Sequence, residues 1–182
     1  MNTSIQYDQI INSCKEVFLK KTIDYGTSWR VLRTISVVDQ IFIKAQRIRT
    51  LQSATEQMVA DDIPSEFLGI INYGIIGLIQ LKLNNPIIED LSKEKADELY
   101  SEEIATVKNT MLAKNHDYGE AWRDMSQESF ADLILVKLLR VKQILANDGK
   151  TLISEGIDAN YTDIVNYAVF ALIKLSENEK KN

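Results

Sequence analysis

The sequence predicts an all-α protein: six helices, arranged as two tandem three-helix repeats about a pseudo-two-fold axis, with no β-sheet. Three observations carry this expectation. Apolar residues recur at helical spacing, and no window of alternating polarity is long enough to compete as a strand. Only 7 glycines and 2 prolines punctuate the 182 residues, too few for the many tight turns of a sandwich or barrel. The second half also repeats the first in order. LKKTIDYGTSWR at 19–30 matches LAKNHDYGEAWR at 112–123, and the same register pairs Asp39 with Asp132, Lys44 with Lys137 and Arg47 with Arg140. After one inserted residue, INYGIIGLIQL at 71–81 matches VNYAVFALIKL at 165–175.

The first unit is assigned to residues 1–90. Ile10, Ile11, Cys14, Val17 and Phe18 trace one helix face, and Val38, Ile41, Phe42, Ala45 and Ile48 trace the next. Phe67 to Leu83 is apolar nearly all round, as expected of a central helix at the seam between the halves. The second unit, 91–182, begins after Asn84-Asn85-Pro86. Leu99, Ile104, Val107 and Met111 mark its first helix. Leu133, Ile134, Leu138, Val141 and Leu145 mark the second, and Ile164, Val165, Ala168, Leu172 and Leu175 the third. A unit of this size with an open apolar face is marginal alone, and pairing two such faces closes one core. The two units are therefore expected to form one compact helical domain.

Composition bounds the function. A hydrophobic fraction of 45 % and a charged fraction of 26 % are those of a globular chain. The net charge of −5 argues against direct binding to a nucleic-acid backbone. Cys14 is the single cysteine, so no internal disulfide forms, and a reducing, cytoplasmic setting is expected. The N-terminal MNTSIQYDQIINS lacks the pattern of a signal peptide. The greasiest stretch, Phe67 to Ile79, falls short of the roughly 20 residues that span a bilayer, so no membrane partner is expected. An internal pseudo-dimer can suffice or can pair again, which leaves a homo-oligomer open.

Three repeated elements carry chemistry. The first is D-Y-G-x-x-W-R, at Asp24 to Arg30 and Asp117 to Arg123. Its glycines end a helix in the left-handed region and its tryptophans plug the core, but helix termination needs only the glycine. The second is a pair of cations inside an apolar helix, Lys44 with Arg47 and Lys137 with Arg140. Residues three apart share a face, where the charges either reach water along apolar stems or meet an acidic group in a cleft. The third, Asp163 with Asn166 and Tyr167 on one helix face, is complete only in the second half. Its first-half counterpart of Asp163 is Gly69, although Asn72 and Tyr73 persist. His116, the single histidine, has no companions for a familiar zinc site.

At these residues the chain resembles the nucleotide modification associated domain type 1 family. The pattern is K-x-x-D-Y-G-x-x-W, D-x-x-x-x-K-x-x-R and N-Y-x-D-I-x-N-Y-A, here Lys114 to Trp122, Asp132 to Arg140 and Asn160 to Ala168. The second half carries it in full and the first half in part. The resemblance implies a bacterial or phage protein connected with nucleotide or modified-base metabolism. A looser similarity is to the all-α MazG-like nucleotide pyrophosphohydrolases, which hold magnesium on acidic helices. Their E-E-x-x-E helix has no counterpart in this chain.

The expected function is binding of a nucleotide or phosphorylated metabolite, with hydrolysis of a nucleoside phosphate as the reaction class if the protein is an enzyme. Lys114, Arg123, Lys137 and Arg140 would face phosphates, Tyr118 or Trp122 would stack on a base, and Asn166 and Tyr167 would complete the pocket. Asp117, Asp132 and Asp163 are the candidate catalytic carboxylates, and Asp132 with Asp163 the candidate Mg²⁺ ligands. The alternative is a non-catalytic scaffold or adaptor in which these Asp, Lys and Arg side chains form internal ion pairs.

Overall fold

The structure is a computed structural model that describes residues 2–54 and 62–179. Six helices run through them: α1 (Thr3–Tyr25), α2 (Thr34–Ser53), α3 (Ile63–Leu83), α4 (Lys93–Tyr118), α5 (Gln127–Ala146) and α6 (Ile157–Glu179). No strand occurs among the described residues. Two short 3₁₀ turns, Ser28–Val31 and Ala121–Asp124, follow α1 and α4.

Local chemistry sets the boundaries. Asn2, Asp62 and Ser92 each accept a backbone N–H of the first turn of α1, α3 and α4. Pro64 stands in the first turn of α3, where its missing N–H is harmless. Asn84, in the left-handed conformation, closes α3.

Helices α2, α3, α6 and α5 pack in a ring as a four-helix bundle, and α1 and α4 lie against α3 and α6. The closest seam is α3 on α6. A Cβ at Gly74 would fall 2.5 Å from Val165 Cγ2, and one at Gly77 2.7 Å from the Tyr161 ring. Phe67, Ile70, Ile71, Ile75 and Ile79 of α3 are fully buried there with Ile164, Val165, Ala168 and Val169 of α6. The helix expected over Phe67–Leu83 begins four residues earlier, at Ile63. At that length α3 meets the length and composition of a membrane-spanning helix. In this fold its apolar faces are covered by α2 and α6.

Polar contacts repeat across the pseudo-two-fold axis. Tyr7 of α1 donates its hydroxyl to Asn166 Oδ1 at 2.8 Å, and Tyr100 of α4 donates to Asn72 Oδ1 at 2.9 Å. Each asparagine in turn donates to a carbonyl of its own half, Asn72 to Cys14 and Asn166 to Val107. Outside the core, Lys142 reaches Asp39 at 3.1 Å and Arg49 reaches Asp132 at 3.4 Å. Lys15 pairs with Asp97 and Lys108 with Asp8, which sets α1 antiparallel to α4. The two halves thus brace each other with matched bonds.

Candidate functional site

The D-Y-G-x-x-W-R element forms the turn after α1 and after α4. Gly26 and Gly119 have positive φ, and their N–H groups bond to Thr22 and Asn115 carbonyls. The 3₁₀ turn that follows is held by the last helix of the same half. Gln80 Nε2 donates to the carbonyls of Trp29, Arg30 and Leu32, and Lys174 Nζ donates to those of Arg123 and Met125. Trp122 is buried, stacked on Phe170 with ring centroids 4.3 Å apart and under the Arg123 guanidinium. Arg123 donates to Glu120, Glu177, Thr3 and Gln6. Its counterpart Arg30 is buried and bonds to Glu89, Gln80 and the Asn85 carbonyl. Trp122 and Arg123 therefore tie the turn to α1 and α6. Tyr118 is 73 % exposed, and Asp117 is exposed beside His116, 3.0 Å from its Nδ1.

Three helices of the second half bring the remaining charges together. Asp163 of α6 accepts from Lys114 of α4 through Oδ1 and from Lys137 of α5 through Oδ2, both at 2.7 Å. The Asp163 side chain is 9 % exposed. Burial opposes its ionisation, yet the bonds from the two ammonium groups outweigh burial and hold its carboxyl below the usual range. Tyr167 stands beside them, its phenol pushed up by burial and then by the Asp163 charge, with Lys114 and Arg140 acting the other way. Arg140 borders a depression of about 700 Å³ with Lys150 and Asn160. Asn166 turns inward to Tyr7 and Val107, and Asp132 engages Arg49 of the other half.

This donor set does not fit a divalent cation. Both oxygens of Asp163 are occupied by lysine ammonium groups, which favour an anion between them rather than a metal. Among the described residues no three His, Cys, Asp or Glu side chains gather as a metal-holding group.

The first half uses the same three elements, changed at the carboxylate positions. Gly69 replaces Asp163, and a cleft of about 590 Å³ opens between α1, α2 and α3. Lys21, Tyr25, Lys44, Glu66, Gly69 and Tyr73 border it. The Lys44 stem lies along Gly69, where a Cβ would meet Cε at 2.8 Å. Its ammonium stands 3.5 Å from Glu66, which also holds Arg47. Lys21 is exposed and has no ion-pair partner among the described residues. Burial and then the neighbouring Tyr73 and Asp24 raise the Tyr25 phenol, and both tyrosines border the cleft. Trp29 also borders the cleft, and its buried indole N–H has no partner among the described residues.

The complete motif set places the expected site in the second half, so Lys21, Tyr25, Lys44 and Tyr73 are not among its expected residues, although Lys44 stands in the repeated cation pair and Tyr73 persists from the third element. The signal that marks them is the exchange of Asp163 for Gly69. It removes the carboxylate that bridges the two lysines of the other half while leaving both lysines.

A family model described as nucleotide modification associated domain 1 matches residues 21–81 and again 114–175. The two matches fall on the two halves, as a tandem repeat requires. Comparison with curated proteins and with solved structures gives no match.

Proposed function

The chain belongs to the nucleotide modification associated domain 1 family, and on that footing we propose that it binds a nucleotide or a related phosphorylated metabolite. The observation that carries this reading is the first-half cleft. Its volume is within the range of roughly 300–1,000 Å³ typical of small-molecule sites. It offers two ammonium groups, Lys21 and Lys44, for a phosphate, and two tyrosines, Tyr25 and Tyr73, for a flat ring. Lysine acts there as a point charge with several donors.

The test is a thermal-shift screen of nucleoside mono-, di- and triphosphates, with and without magnesium, alongside pyrophosphate release. A ligand at about 100 times its Kd adds about 2.7 kcal/mol, which raises the Tm of a chain of this length by several degrees. Lys44→Met should remove the shift and leave the unliganded Tm near that of the wild type. A panel without any shift overturns the binding reading. Magnesium-dependent turnover lost in Asp163→Ala would restore the hydrolase expectation.

One observation favours a second reading, that of a non-catalytic scaffold. Asp163 is saturated by Lys114 and Lys137, as an internal ion-pair network would be. Under that reading Lys137→Met lowers the Tm while no nucleotide changes it.

A further inference from the structure

We infer that Asp163 is a built-in occupant of an anion site that the first half leaves open, so that the repeat carries one receiving site and one self-filled site for a phosphate group. The inference rests on the phosphate-binding reading above and assigns it to one half. Lys21 and Lys44 of α1 and α2 match Lys114 and Lys137 of α4 and α5 in the repeat. In the second half a carboxylate spans the two ammonium groups at 2.7 Å each. That geometry is what an oxyanion of a ligand would reproduce.

In the first half the spanning group is gone. Gly69 occupies its position, the Lys44 stem lies against it, and both residues border the cleft. The first-half carboxylate is set one helical turn earlier, at Glu66, which matches Asn160 in the other half. Glu66 holds Arg47 and stays 3.5 Å from the Lys44 ammonium, beyond a short charge-assisted bond. Conversely, with Asn160 in place of a glutamate, Arg140 borders its own depression. One carboxylate per half, moved by one turn, thus decides where the half is open. Two lysines bordering one cleft suit a doubly charged oxyanion better than a neutral group.

The experiment is isothermal titration calorimetry of inorganic pyrophosphate into wild type, Gly69→Asp and Asp163→Ala, each checked for helical content by circular dichroism. Wild type is expected to bind at the first-half cleft. Gly69→Asp should fill that site from within, weakening binding by about tenfold or more. The nearest atoms to a Cβ there belong to the Lys44 side chain, which is flexible and can move aside, so this variant should fold. Asp163→Ala should add a second pyrophosphate per chain. A folded Asp163→Ala that gains no binding, or a Gly69→Asp that binds as wild type does, overturns the inference. Binding by Asp163→Ala with none by wild type keeps the self-filled site and defeats the first-half binding reading instead. Should Asp163→Ala fail to fold, Gly69→Asp alone decides.

Discussion

Tyr7 and Asn166 lie in opposite halves of the repeat, and a 2.8 Å hydrogen bond joins them in the core. Tyr100 and Asn72 make the same bond in the opposite direction. Both tyrosines are fully buried, and burial raises both phenols far above the ordinary value. Each therefore stays a neutral donor. Tyr7→Phe and Tyr100→Phe each leave an asparagine oxygen unpaired, at an expected cost of about 1–3 kcal/mol. Because the environments are related by the pseudo-two-fold axis, the two losses in urea unfolding should agree closely. A large cost for one and none for the other would contradict the reciprocal arrangement.

The two motif glycines should differ. Gly119 is left-handed with open space around its missing Cβ, so Gly119→Ala should cost about 1–2 kcal/mol from backbone strain alone. Gly26 has φ 69° and ψ −156°, a region essentially reserved for glycine, and a Cβ there would strike the Asp90 carboxylate. Asp90 also accepts the Thr27 N–H. Gly26→Ala should therefore destabilise clearly more, by thermal or urea unfolding. Equal losses would show that the Asp90 contact adds nothing.

The Asp163 pair should make stability depend on acid. Its folded carboxyl titrates below the ordinary value, so the unfolded chain binds the proton first as the pH falls. The contribution is present above the usual aspartate range and disappears as the pH drops through the folded value. Asp163→Asn should cost about 1–3 kcal/mol at neutral pH, since it strips a partner from two lysines. The gap to wild type should begin to narrow below about pH 4 and close only below the folded value. A gap that persists into acid would mean that the ion pair does not supply it.

Asp132 and Asp39 brace the halves from outside through Arg49 and Lys142. These pairs are more than one-third exposed at the carboxylate, so Asp132→Asn should cost under about 1 kcal/mol, and less in high salt. Titration with pyrophosphate should give the wild-type affinity. A loss of binding in Asp132→Asn would bring this carboxylate back as a ligand-site residue.

Helix periodicity and the internal repeat made the all-α architecture legible, because both depend on local spacing along the chain. The burial of Trp29 and Trp122 and the helix-ending role of Gly26 and Gly119 were readable for the same reason. The partners of the charges were not. Asp163 can be seen to share a helix face with Asn166 and Tyr167, but only packing turns Asn166 to Tyr7 and Asp163 to Lys114 and Lys137. Arg123 reads as a phosphate-facing cation, yet Thr3, Gln6 and Glu177, distant in the chain, take up its donors. The first-half cleft was visible only as a missing carboxylate, a negative signal that spacing alone does not rank above a complete motif.

The most direct measurement is an NMR titration of the lysine side-chain ammonium signals with a nucleoside triphosphate, assigned by Lys→Arg substitution at each position. Anion binding between α1, α2 and α3 should shift the Lys21 and Lys44 signals and leave those of Lys114 and Lys137, held by Asp163, in place. Movement of the Lys114 and Lys137 signals with Lys21 and Lys44 unchanged would contradict it and return the site to the second half.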